Sequence, residues 1–206
     1  MKLFAEAIIK FTCGLLLVGL LIFWPAGTLA YTYGWLFAGL LFVPLLIAGF
    51  VMLFKAPELL RKRLDAKEKQ SAQKGVLGFS GLMFVAGFVT AGLDFRYGWS
   101  EMPTWVIITA SALFLLAYAL YGEVLRENAY LSRTVKVEQG QTVVDTGLYD
   151  IVRHPMYAAT ILLFLMIPLI LGSWYALNMI CMSIMFICPI EEYNISRFRC
   201  IATTLP

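Results

Sequence analysis

Four stretches of this chain run almost without charge for the length of a membrane crossing. Ala7–Trp24 carries one charged residue, Lys10, and Gly34–Phe54, Gly75–Leu93 and Thr104–Gly122 carry none. An α-helix rises about 1.5 Å per residue, so about 20 apolar residues cross a hydrocarbon core roughly 30 Å thick. A water-soluble fold has no use for four such runs. Composition agrees: 61% of the 206 residues are hydrophobic and 14% charged, against about 45–50% and about 25% in a soluble domain. The surplus apolar surface needs lipid as its solvent. Residues 2–30 also imitate a signal peptide, with Lys2 and Lys10 around the start of an apolar run and Thr28-Leu29-Ala30 after it. Because further spans follow, an uncleaved first span is expected.

Charge placement orients the spans. The segment Lys55–Lys74 holds Lys55, Arg61, Lys62, Arg63, Lys67, Lys69 and Lys74 against Glu58, Asp65 and Glu68. So many cations in a short inter-span loop put it on the cytoplasmic side. An anionic-lipid or substrate-docking surface is the functional alternative; topology is sufficient to explain the pattern. The connection Asp94–Pro103 carries Asp94, Arg96, Trp99 and Glu101 and falls outside. Glycines at 75, 78, 81, 87 and 92 make the third span a candidate for close helix packing, against this chain or a partner; the oligomeric state is left open.

After the fourth span comes the longest polar segment, Glu123–Arg153, within which Gln141–Gly147 reads as extended. Met156–Leu171 and Trp174–Ile190 are then two apolar arms around Gly172-Ser173. Each arm is at the short end for a span, so a tight helical hairpin is expected, its ends perturbed by Pro168 and Pro189. The expected fold is an all-α integral membrane protein of five to six transmembrane helices, with a C-terminal helical hairpin. Two regions follow: 1–122, four spans with the basic loop at 55–74, and 123–206, comprising the segment 123–155, the hairpin 156–190 and the tail 191–206. Counting the hairpin as two passes places both termini in the cytoplasm of a multi-pass protein in a bacterial-type inner membrane or its equivalent.

Several function classes drop out. A net charge of +3 is too small to point to nucleic acid. Cys13, Cys181, Cys188 and Cys200 show no Cys-x-x-Cys spacing, and there is a single histidine, so no metal site is expected. That histidine, His154, stands in Gly147-Leu-Tyr-Asp-Ile-Val-Arg-His-Pro-Met-Tyr157. Pro155 disfavours helical geometry at His154 and is at ease in a first helical turn. A helix should therefore begin at about Pro155, with Arg153 and His154 at its mouth. Glu191-Glu192, after the hairpin, return to the same end. Such a pocket suits a zwitterionic ligand, with Glu taking an ammonium and Arg, His or backbone N–H taking an anion. The alternative is a polar cap at the membrane interface, anchored by Tyr and Arg.

Taken together, Gly147-x-Tyr149, Arg153-His154-Pro155-x-Tyr157, the Leu171-Gly172-Ser173 hairpin and Glu191-Glu192 resemble the isoprenylcysteine carboxyl methyltransferase family, a relative of the membrane phospholipid methyltransferases. The resemblance covers mainly residues 123–192, including Glu127-Asn128. It implies an integral membrane enzyme that uses S-adenosyl-L-methionine without a Rossmann domain, and no Gly-rich strand-to-helix fingerprint is present. It implies a cytoplasmic cofactor pocket with contacts from Gln141, Thr142, Val143, Val144, Tyr149, His154, Pro155, Met156, Tyr157 and Glu191, with Glu192 as the equal alternative to Glu191. Arg153 is the candidate for orienting the acceptor, a lipophilic small molecule or lipid. Where the family usually has an arginine four residues before the glutamate pair, this chain has Ile187, which argues against a carboxylate acceptor. The family's Gly-x-x-Tyr-x-x-Tyr segment is also missing from Tyr193–Pro206. Two other readings stand beside this one. An NADPH-dependent membrane reductase of similar architecture lacks an obvious cation cluster for the 2′-phosphate in 123–155. A non-catalytic membrane protein would keep the motif only as a helix cap.

Overall fold

The computed structural model describes residues 2–55, 57, 60, 61, 71–127 and 155–182. These form the helices α1 (Lys2–Ala26), α2 (Thr32–Lys55), α3 (Ser71–Tyr97), α4 (Thr104–Glu127) and α5 (Pro155–Ile170). A further helical stretch, α6, is described over 174–182. Among the described residues four helical segments are long and apolar enough to cross a membrane: Leu3–Ala26, Thr32–Lys55, Gly78–Tyr97 and Thr104–Val124. Pro155–Ile170 is apolar but shorter, at 16 residues. The all-helical membrane architecture expected from the apolar runs is present. The extended piece expected at 141–147 lies outside the described residues.

The helices end where local chemistry dictates. Gly27, Gly98 and Gly172 have φ of 69°, 65° and 74°, the left-handed region that a Cβ disfavours. Each follows the last turn of a helix and returns its N–H to that turn: Gly27 to Phe23 O at 3.1 Å, Gly98 to Asp94 O at 2.8 Å and Gly172 to Leu169 O at 3.2 Å. At α5 the Ser173 N–H also reaches Pro168 O at 3.0 Å, completing a Schellman cap. Ser173 then serves the next helix. Its Oγ accepts the Ala176 N–H at 3.1 Å, as an N-cap serine does at the third helical position. One residue thus closes α5 and opens α6, and the hairpin turn expected at Gly172-Ser173 is confirmed.

All three glycine caps meet at one end of the bundle. Here the third helix departs from expectation: the apolar run stops at Leu93, yet α3 continues to Tyr97 and takes Asp94 with it. The reason is that Asp94 is satisfied inside the fold. It is 2% exposed and accepts from Ser100 N–H and Ser100 Oγ, both at 2.7 Å, and from Ser173 Oγ. Nearby, the Tyr31 hydroxyl donates to Leu171 O, and the Tyr31 ring stacks on Phe95 with centroids 4.2 Å apart. Burial, and then the charge of Asp94, push the Tyr31 phenol well above its ordinary pKa, so it stays a donor. The α1–α2 turn, the α3–α4 connection and the hairpin turn are stitched into one layer.

The core lies below that layer. Ile22, Phe37, Phe88, Ala91, Phe114, Met166, Ile170 and Ile180 belong to one buried cluster. Aromatic rings run through it from helix to helix, with Phe37 against Phe88 and Phe114, and Phe84 against Phe164. The most extensive pairings are α4 with α5 and α1 with α3. The second depends on Gly92, where a Cβ would stand 2.6 Å from Ile22 O and 3.0 Å from Pro25 Cβ. Close approach through the third span is therefore real at Gly92, while Gly78 and Gly81 face open space. Within α2, Pro44 removes one helical donor. The Tyr118 hydroxyl of α4 donates to Leu41 O, one turn upstream, at 3.1 Å, the kind of neighbouring polar group that makes a proline tolerable in a membrane helix.

Candidate functional site

The end opposite the glycine caps holds the start of α5. The described part of α5 runs from Pro155, the residue at which the Arg-His-Pro element predicts a first helical position, where a missing N–H costs nothing. Pro155 is buried, Met156 is half-buried and Tyr157 is 40% exposed. The Thr160 hydroxyl donates to Met156 O at 2.7 Å, so a side chain reinforces the backbone of the first turn. Farther along, Ala159, Met166, Ile167 and Pro168 are buried and fix the helix against its neighbours.

Near the end of the described part of α4, Val124 is buried, and Glu123 and Arg126 form an exposed ion pair on the same helix.

Of the site residues expected from sequence, Pro155, Met156 and Tyr157 fall together on this first turn. Gln141, Thr142, Val143, Val144, Tyr149, Arg153, His154, Glu191 and Glu192 lie outside the described residues, as does Ile187. Among the described residues no group of three or more His, Cys, Asp or Glu side chains could hold a metal ion.

Sequence reasoning missed the buried polar layer at the other end. Its signal was present: an acid, Asp94, at the end of an apolar run, and a serine, Ser173, in a turn otherwise free of polar side chains. Neither residue indicates the other across a separation of 79 positions.

The two ends also differ in their anchors. All 5 tryptophans, at 24, 35, 99, 105 and 174, flank the capped layer and are 43–78% exposed, as suits an interfacial belt. Of the 16 lysines and arginines, Arg96 is the one within ten residues of a tryptophan.

The phospholipid methyltransferase family model matches residues 105–195, a little under half of the chain. The matched segment runs from the first turn of α4, through the Arg153-His154-Pro155 element and the hairpin, to just beyond Glu191-Glu192. No curated protein and no solved structure matches the chain. Over residues 105–195 the chain is similar to the phospholipid methyltransferase family.

Proposed function

We propose that this protein transfers a methyl group from S-adenosyl-L-methionine to a lipophilic acceptor drawn from the bilayer, at the head of α5. The observation that carries the reading is the family match, which centres on the segment containing Arg153-His154-Pro155-x-Tyr157 and ends just past Glu191-Glu192. The described part of the site suits it: on the first described turn of α5, Pro155 is buried and Tyr157 is partly exposed.

The donor supplies a methyl on a sulfonium; an acceptor lone pair takes the methyl, and the broken C–S bond leaves its electrons on sulfur. Charge at sulfur is lost in that step, so positioning and exclusion of water carry much of the catalysis. Gln141, Thr142, Val143 and Val144 line the cofactor side, with Tyr149, His154, Pro155, Met156 and Tyr157. Glu191, or Glu192 in its place, faces the positive charge before transfer and holds the neutral product less well. The tyrosine faces add cation–π attraction of the same sign. Arg153 orients the acceptor.

This end faces the cytoplasm, and the tryptophan end faces away. That orientation rests on the cations of 55–74 and their near absence around the tryptophans. Reporter fusions at the two termini test it, and a periplasmic signal from either would reverse the topology.

The deciding experiment is calorimetric binding of S-adenosylhomocysteine to the detergent-purified protein. Micromolar binding is expected in the wild type and loss of it in His154→Ala and Glu191→Ala. Arg153→Ala should keep the binding and lose transfer. Absence of binding to well-folded wild type refutes the methyltransferase reading.

A further inference from the structure

A second feature of the cation-rich end stands apart from the family segment. α1 and α2 diverge there, leaving a cleft of about 310 Å³ lined by Phe4, Ile8, Phe11, Leu46, Gly49 and Leu53, with Leu60 also on its wall. That volume is at the small end of known ligand pockets. The helices converge again deeper in, where Phe11 meets Phe42 edge-on at 5.5 Å. From Leu53 to Leu45, both on the wall, the cleft runs about 12 Å along α2.

Its wall is apolar apart from Lys10, and Lys10 is paired with Glu6 at 2.6 Å, so the wall contributes no net charge. Its mouth does. Lys55 ends α2 two residues beyond Leu53, and Arg61 adjoins the buried Leu60; both cations are exposed. An apolar slot that opens toward the headgroup level under two exposed cations matches one kind of occupant in a bilayer: an acyl chain attached to a negatively charged headgroup.

We propose that the α1–α2 cleft binds an anionic phospholipid, with one acyl chain between Ile8 and Leu46 and the phosphate at Lys55 and Arg61. This site is separate from the start of α5, and it gives the basic segment a ligand as well as a topological role. Near a membrane surface each cation contributes roughly 1 kcal/mol toward an anionic lipid, about fivefold in affinity.

The test is native mass spectrometry of the full chain with added phosphatidylglycerol or phosphatidylcholine. Wild type should retain phosphatidylglycerol well above phosphatidylcholine. Lys55→Ala and Arg61→Ala should each lower that preference about fivefold. Gly49→Leu should expel both lipids by filling the cleft, because a Cβ at 49 meets nothing within 4 Å. Gly39→Leu, equally unobstructed on the same helix and outside the cleft, should bind as wild type does. Unchanged melting of Gly49→Leu in lipid-free detergent would confirm that its fold is intact. Equal retention of the two lipids, or undiminished phosphatidylglycerol on Gly49→Leu, overturns the proposal. So does a wild-type dimer abolished by Gly49→Leu, which would make a second copy of the chain the occupant.

Discussion

Replacing Asp94 with alanine should destabilise the bundle more than any other single side-chain truncation at the tryptophan end. The carboxylate accepts three hydrogen bonds, two from Ser100 and one from Ser173. Deleting one partner of a hydrogen bond to a charged group costs about 1.5–3 kcal/mol. The three are not equal. Ser100 is half-buried and can turn to water, whereas Ser173 is 1% exposed and its hydroxyl would lose its acceptor in the interior. Taking Ser173 at about 2 kcal/mol and the Ser100 pair at the low end gives about 3–5 kcal/mol for Asp94→Ala. Asp94→Asn is different. The amide oxygen still accepts from Ser100 N–H, and its NH₂ can donate to the two hydroxyl oxygens, so the cost should be about 1 kcal/mol. Equilibrium unfolding in mixed micelles, followed by tryptophan fluorescence, reads this directly, since all 5 tryptophans flank the layer. A double-mutant cycle between Asp94→Ala and Ser173→Ala should show coupling of about 1–3 kcal/mol. If Asp94→Ala and Asp94→Asn lose the same stability, or the alanine variant stays within about 1 kcal/mol of wild type, the buried layer does not hold the helix ends as described.

Gly92→Ala places a methyl 2.6 Å from Ile22 O and should cost about 1–3 kcal/mol by forcing α1 and α3 apart; Gly78→Ala meets nothing within 4 Å and should be neutral or slightly stabilising, as thermal melts of the pair would show. Tyr31→Phe removes the bond to Leu171 O and should cost about 1 kcal/mol at neutral pH. The folded-state pKa of Tyr31 is raised, by burial first and the Asp94 charge second; its stabilisation is therefore complete below about pH 10 and is lost as the pH climbs beyond that. Alkaline titration should show a steeper fall in stability for wild type than for Tyr31→Phe, and identical slopes would remove Tyr31 as the titrating group.

The sequence makes its helices readable wherever the cause is local. Pro155 announces the start of α5 because proline suits a first turn and little else in a helix. Gly172 followed by Ser173 announces the hairpin because one supplies a left-handed cap and the other an N-cap. Local reading fails where the cause lies far along the chain. A charge at the end of an apolar run looks like the end of a span, so Asp94 reads as connection. It is helical because Ser173, distant in sequence, helps satisfy it. The glycines of the third span look alike in sequence, but only the crossing of α1 picks out Gly92 from Gly78 and Gly81. For the site, the segment carrying Arg153, His154 and Pro155 is legible as methyltransferase-like only through its resemblance to a known family, because the residue types alone equally suit a polar cap at the membrane interface; the family match covers that segment.

The stitched layer at the tryptophan end also makes the bundle a lever. Its connections are only a few residues long and bonded to one another, so helices tilting relative to each other must pivot there. α2 and α4 each run 24 residues away from that pivot, about 36 Å. Rocking α4 by about 3° would carry its far end about 2 Å while hardly moving Ser100. Substitutions around Asp94 would then register as a displacement at the opposite end of the bundle.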